Sequence, residues 1–380
     1  MPSMTNLCSI SVVVLAALAG TPAIAQSMSR GSLISSAPLA GAPAGASAFR
    51  IRYQSRAVGG ERNEVTGVII VPKGAAPRDG RMVVAWAHGT SGVANSCAPS
   101  QSKALFGSIA GLNAMLAAGY AVVATDYAGL GTPGPHPYLA GNGSAYSVLD
   151  SIRAAREFGH GRISNRYVVW GESQGGHAAL WTGQFAQGYA PELQLIGVAA
   201  AAPPTDLKEN LTGGTNPLIK ALLTAYTGAS WSQTYGIPLS TILPPVGQKL
   251  ALRLARNCVS TDPVALRTKI GLFRFSQSLA KVDISKSPPW AEQLRRNSVQ
   301  PSGFSVPVLI AQGSADPIIA PAVTRNFAQS LCRSRSVPVR YIAIEGGDHF
   351  SIGKRSADAT VRWIADRFAG QAAPDDCGRL

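Results

Sequence analysis

Apolar positions along the chain fall into two patterns that alternate. The first is a short continuous run, found at 65–72, 82–87, 120–125, 167–170, 195–200, 306–312 and 339–344, mostly bounded by Pro, Gly or Asp. Strands that are apolar throughout must be covered on both faces, as in a parallel sheet between two layers of helices. The stretch 49–53 alternates instead, as a half-buried strand does. The second pattern is helical spacing, at 104–118 (closed by Gly119), 146–158, 324–332 and 357–368. Within 146–158, Val148, Leu149, Ile152, Ala155 and Phe158 recur on one face. Strand and helix patterns in alternation predict an α/β fold with a mostly parallel central sheet.

The alternation stops between 205 and 303. That segment shows helical patches at 218–226 and 248–256, the punctuation Pro244-Pro245 and Pro288-Pro289, and no strand pattern. It is expected to be a helical cap, a lid inserted into a core made of 26–204 and 304–380. The stretch 31–49, rich in Ala, Gly, Ser and Pro, reads on composition as a flexible lead-in.

Composition narrows this picture. The 380 residues are 46% hydrophobic and only 14% charged, enough for a large core and unlike a disordered chain. The formal net charge is +14. No block of Lys/Arg and no nucleic-acid motif accompanies it, so a solvated basic surface is expected rather than a nucleic-acid partner. The cap holds twelve Lys/Arg against five Asp/Glu, a net +7, which suits transient contact with anionic interfaces such as lipid headgroups. Residues 1–25 carry no charged side chain and end in Ala23-Ile24-Ala25. This reads as a secretory signal peptide leaving Gln26 as the first mature residue, although it lacks the usual basic residue before its apolar core. The core is too short for a stable membrane anchor. Past Cys8, the four cysteines Cys97, Cys258, Cys332 and Cys377 suggest two disulfides in any of three pairings, and their spacing fits no metal site.

Chemistry centres on Gly171-Glu172-Ser173-Gln174-Gly175, a G-x-S-x-G pattern between a predicted strand and a predicted helix. In that context the serine occupies a strained strand-to-helix turn, with its hydroxyl exposed and helix amides aimed at the same spot. A serine nucleophile needs a base, and the base needs an orienting carboxylate. In α/β-hydrolases these follow in the order Ser, acid, His, each after a strand. Asp316 follows the strand at 306–312 and His349 follows the strand at 339–344, giving the triad Ser173, Asp316 and His349. Asp206, after the strand at 195–200, is the runner-up acid. Asp348 reads as a turn residue, Asp126 as a loop brace and Glu172 as the variable elbow position. His88 reads as shaping the oxyanion loop, His177 as packing in the elbow helix, and His136 and His160 as ordinary loop or surface positions. The oxyanion hole is expected to use the backbone N–H of Gln174 and a second from Gly89 or Thr90. No metal or organic cofactor is implied.

These residues resemble the secretory lipase family, α/β-hydrolases similar to the yeast-type lipase A enzymes. The resemblance rests on Ser96-Cys97-Ala98-Pro99-Ser100, the strand from Gly119 to Tyr127, His136-Pro137-Tyr138-Leu139, the elbow through His177, Gln312-Gly313-Ser314-Ala315-Asp316 and Gly347-Asp348-His349. It implies hydrolysis of acyl glycerols or similar lipid or small-molecule esters, with a helical cap over the acyl chain. It also implies that 31–49 wraps the domain and that the disulfides are Cys97–Cys258 and Cys332–Cys377. The sequence departs from the yeast enzymes at Ala87-His88-Gly89-Thr90, where they carry an acidic residue. A feruloyl- or acetyl-type esterase on polysaccharides is the second enzyme reading, and a non-catalytic binding protein on the same fold is the reading from another class.

Overall fold

In this computed structural model the described residues are 29–160, 162–213, 216–259, 266–279 and 282–380, so the expected signal peptide at 1–25 lies outside them. Nine strands among them form one sheet: β1 Leu33–Leu39, β2 Ala46–Arg56, β3 Arg62–Pro72, β4 Arg81–Ala87, β5 Ala121–Thr125, β6 Ile163–Glu172, β7 Gln194–Ala201, β8 Val308–Gly313 and β9 Val339–Ile344. Their order is β1-β2-β3-β5-β4-β6-β7-β8-β9. From β5 to β9 neighbouring strands are parallel, and β1, β2 and β3 extend the sheet antiparallel beyond β5.

The continuous apolar runs are explained by two cores. Along β4, Val83, Ala85 and Ala87 point to the face covered by α3 (Gly141–Phe158), α4 (Gln174–Tyr189) and α10 (Pro321–Ser334). Val84 and Trp86 point to the face covered by α1 (Leu105–Ser108), α2 (Leu112–Ala117) and α11 (Ile352–Phe368). Tyr167 and Val169 against Val168 and Trp170 repeat the alternation on β6. Trp86 and Trp170 meet edge to face with centroids 5.3 Å apart, a geometry that adds about 1 kcal/mol to their burial.

Three local expectations change. The single helix at 104–118 is two helices, because Gly111 turns left-handed (φ +67°) between them. A Cβ on Gly111 would lie 3.0 Å from Val361 and 3.2 Å from Trp170, so the break lets the chain hug the core. The lead-in is not flexible. Its residues Leu33–Leu39 form an edge strand paired with β2, which agrees with the wrapping implied by the resemblance. Backbone pairing holds this strand while most of its side chains stay outside the core, so hydrophobic patterning could not show it. Pro38 is tolerated there because an edge strand has one unpaired side. Finally, α11 starts at Ile352, ahead of the expected 357, because Lys354 and Arg355 mask the apolar period in its first turn.

Between β7 and β8 the chain forms α5 Leu207–Thr212, α6 Pro217–Thr234, α7 Pro245–Leu254, α8 Leu266–Leu279 and α9 Pro288–Asn297, with no strand among the described residues. Three of these open on proline at the first helical position, where the missing N–H costs nothing. The helices share an apolar cluster that includes Leu211, Ala225, Trp231, Leu254, Phe275 and Trp290. Tyr138 and Leu139, from the loop before α3, enter it too. The disulfides join Cys97 to Cys258 and Cys332 to Cys377. The first ties the segment after β4 to these helices, and the second pins the chain after α11 to α10.

Candidate active site

Ser173 stands between β6 and α4 with φ +53° and ψ −120°, a conformation that costs roughly 1–3 kcal/mol for a residue with a side chain. The flanking glycines are required by space. A Cβ on Gly171 would lie 2.2 Å from the Gly175 carbonyl oxygen, and one on Gly175 would lie 1.8 Å from the Ala87 carbonyl oxygen. The turn is anchored by the Ser173 N–H, which donates to the Ala201 carbonyl at 2.8 Å.

The loops after β8 and β9 bring Asp316 and His349 to this serine. His349 Nε2 lies 2.9 Å from Ser173 Oγ, and His349 Nδ1 lies 2.8 Å from Asp316 Oδ2. Asp316 is fixed in turn. Its Oδ1 accepts from the amides of Ile318 (2.8 Å) and Ile319 (2.9 Å), and its Oδ2 from Gln312 Nε2 (3.1 Å). Gln312 is itself oriented by the Thr324 hydroxyl, which donates to its Oε1 at 2.8 Å. A carboxylate can only accept, so His349 Nδ1 carries the proton toward Asp316 and Nε2 is free to receive the serine proton.

The rival acids lie elsewhere in their own bonds. Asp206 is the N-cap of α5, its Oδ1 accepting from the Glu209 amide at 3.1 Å. Asp348 is exposed and caps its own turn through the Ser351 amide at 2.8 Å. Asp126 is buried, accepting from the Thr66 hydroxyl at 2.7 Å and the Ser100 amide at 2.8 Å. Burial raises the Asp126 carboxyl, against the pull of Ser100 and Thr66. Of the other histidines, His88 is buried with Nδ1 2.6 Å from the Gly89 carbonyl oxygen and Nε2 3.2 Å from that of Asp126, so it braces the loop after β4. His177 packs in the core with Nε2 2.7 Å from the Asn297 carbonyl oxygen, and burial lowers it to about 4. His160 is exposed, stacking on Phe49. His136 corrects the surface reading: it is fully buried, and its Nε2 lies 3.0 Å from Gln174 Nε2.

Gln174 is the first residue of α4, so its amide has no partner within the helix and adjoins the serine. Gly89 sits over Glu172, its Cβ position 3.4 Å from the Glu172 carbonyl oxygen. Thr90 Oγ1 bonds the Tyr138 hydroxyl at 2.8 Å. Glu172 departs most from its sequence reading. The residue is half-buried with its carboxyl packed against Gly353, and desolvation raises it to about 7 against the charges of His349 and Lys354. An acidic residue at the x of G-x-S-x-G is a signal that could have marked it. Among the described residues, the grouping with metal-ligand types is Cys332, Asp375 and Cys377, and its two sulfurs are spent in the disulfide.

Sequence comparison matches residues 107–376 to the family described as Secretory lipase. A relative in Mycobacterium tuberculosis, named probable inactive lipase MT1628, is 26% identical over 88% of this chain and 76% of its own length. Candida antarctica lipase A in its closed state superposes with a TM-score of 0.75 at 18% identity, covering 93% of this chain and 85% of that one. The rice cell wall degrading esterase LipA from Xanthomonas oryzae superposes with a TM-score of 0.72 at 19% identity, covering 90% of this chain and 98% of that one. The family match spans both the serine turn and the aspartate and histidine loops, on a sheet whose neighbours are lipase and esterase α/β-hydrolases: the chain belongs to the secretory lipase family.

Proposed function

We propose that this chain is an exported serine ester hydrolase that works through an acyl-enzyme on Ser173. The observation that carries the reading is the relay from Ser173 Oγ to His349 Nε2 (2.9 Å) and from His349 Nδ1 to Asp316 (2.8 Å). His349 Nε2 takes the hydroxyl proton as Ser173 Oγ adds to the ester carbonyl carbon. The oxyanion is held by the N–H of Gln174 and that of Gly89 or Thr90, and Asp316 stabilises the imidazolium. The imidazolium protonates the departing alkoxide, and the acyl group stays on Oγ. Water, giving a proton to His349, then attacks the acyl carbon, and that proton returns to Ser173 as the acid leaves.

The substrate class is acyl glycerols or related lipid esters, with 205–303 acting as the cap over the acyl chain. Support comes from family membership and from the apolar side chains left in water. Val246, Leu252, Ile270 and Phe273 are exposed on the helices after β7, and Phe350, beside His349, is 73% exposed. With the +7 charge of that segment, they suit transient docking on an anionic lipid interface. Export is supported by the uncharged apolar leader and two disulfides, and no helix among the described residues is long and apolar enough to cross a membrane.

The test is Ser173→Ala assayed on p-nitrophenyl esters, with an expected fall in turnover of about 10⁴-fold or more. Near-wild-type turnover would refute the reading. A serine-directed phosphonate should label the wild type, and failure to label would favour a non-catalytic protein on this fold. The Xanthomonas structure supports a second reading, an esterase on cell-wall polysaccharides. A p-nitrophenyl chain-length series beside feruloyl and acetyl esters separates the two: preference for long acyl chains supports the lipid reading.

A further inference from the structure

The segment His136-Pro137-Tyr138 touches both sides of the proposed oxyanion hole. On one side, His136 Nδ1 lies 3.0 Å from the Ala128 carbonyl oxygen and Nε2 lies 3.0 Å from Gln174 Nε2. A carbonyl only accepts, so Nδ1 carries the proton. In a neutral ring Nε2 is then an acceptor, and the Gln174 carboxamide must present its NH₂ to it. Burial keeps the ring neutral, lowering it to about 3. Gln174 is therefore held in one orientation, with its Oε1 buried and without a partner. On the other side, the Tyr138 hydroxyl bonds Thr90 Oγ1 at 2.8 Å.

The same segment is fastened to α6. The Ser230 hydroxyl donates to the His136 carbonyl at 2.6 Å and accepts from the Tyr138 amide at 2.9 Å. Trp231 Nε1 donates to the Tyr138 carbonyl at 2.8 Å. Ser230 and Trp231 are buried, so these bonds are made away from water, where a lost partner is costly.

We propose that His136 and Tyr138 are positioning residues of the oxyanion hole, one for each donor strand of backbone, and that Ser230 and Trp231 make their placement depend on α6. The inference rests on the acyl-enzyme reading of Ser173. His136 sets Gln174, the residue whose amide follows the nucleophile. Tyr138 sets Thr90, in the loop that supplies the second amide. Because one three-residue segment holds both, a shift of α6 moves both donors together, and the cap helices are coupled to transition-state stabilisation without touching the reacting atoms.

The experiment compares Tyr138→Phe, Ser230→Ala, His136→Leu and His136→Gln with the wild type. It measures kcat and KM on p-nitrophenyl butyrate and the Ki of a trifluoromethyl ketone, which forms a tetrahedral oxyanion on the serine. Outright loss of one oxyanion donor costs a hundred- to a thousandfold in kcat, so displacement of a donor is expected to cost about tenfold. Tyr138→Phe and Ser230→Ala should lose about that in kcat with KM within about twofold, and Ki should rise by the same factor as kcat falls. His136→Leu should lose more, and His136→Gln, which can still donate to Ala128 and accept from Gln174, should recover most of it. Unchanged kcat and Ki in folded Tyr138→Phe and Ser230→Ala would overturn the proposal, as would a kcat loss with unaltered Ki. Should His136→Leu not fold, Tyr138→Phe and Ser230→Ala still decide. Failure of the underlying reading looks different: the ketone would not inhibit the wild type, and Ser173→Ala would stay active.

Discussion

Glu172→Gln should stabilise the protein at alkaline pH and leave it nearly unchanged in acid. The Glu172 side chain runs past Gly89 and ends at the start of α11, where its Oε2 lies 1.9 Å from the position a Gly353 Cβ would take. Burial is the leading influence on its carboxyl and raises it from 4.5 to about 7, while only the charges of His349 and Lys354 oppose the rise. The sign follows from linkage. Below pH 4.5 the carboxyl is protonated in both the folded and unfolded chain and contributes no difference. Between about 4.5 and 7 the unfolded chain releases the proton first, so stability falls by about 1.36 kcal/mol per pH unit. Above 7 both states are ionised and the loss levels off at about 3 kcal/mol. A glutamine of the same shape carries no such loss. Urea denaturation followed by tryptophan fluorescence at pH 4.5, 6 and 8 measures it. The gap between variant and wild type should open from near zero to about 3 kcal/mol across that series. A gap that does not change with pH would refute the reasoning, because it would mean that Glu172 ionises as readily folded as unfolded.

Other consequences are sharper in direction than in size. Gly175→Ala puts a Cβ 1.8 Å from the Ala87 carbonyl oxygen, so the variant should fail to fold or melt far below wild type, whereas Gly188→Ala, exposed in the same helix with nothing within 4 Å, should gain up to about 1 kcal/mol in thermal unfolding. Asp316→Asn keeps the shape but presents an NH₂ or a neutral oxygen to His349, and kcat on a soluble ester should fall by about 10⁴-fold with little change in KM. Replacing Cys332 and Cys377 by serine opens a 45-residue loop and should cost at most roughly 4 kcal/mol in urea unfolding, against a ceiling of roughly 5 for the 161-residue Cys97–Cys258 loop.

What could be read from the sequence was whatever depends on near neighbours along the chain. The two-sided strands were visible because each residue's face follows from the period of two, so Val83 and Val84 could be assigned to opposite cores before any partner was known. The serine turn was visible because Gly171 is demanded by an atom one turn away, the Gly175 carbonyl oxygen, whereas Gly175 itself answers to Ala87 on a neighbouring strand. Strand ends placed Asp316 and His349, since a parallel sheet carries its loops to one edge. The edge strand Leu33–Leu39 was not visible, because it is held by backbone pairing and its side chains carry little pattern. Neither was the burial of His136. Ser230, which fastens that segment, lies 94 residues away in a stretch of helices whose apolar faces look alike in sequence. A histidine flanked by prolines in a glycine-rich loop reads as surface until the helix that covers it is placed. The same distance in sequence is what gives the contact its consequence: a loop bonded to α6 on one side and to Thr90 and Gln174 on the other ties both residues to a helix far along the chain.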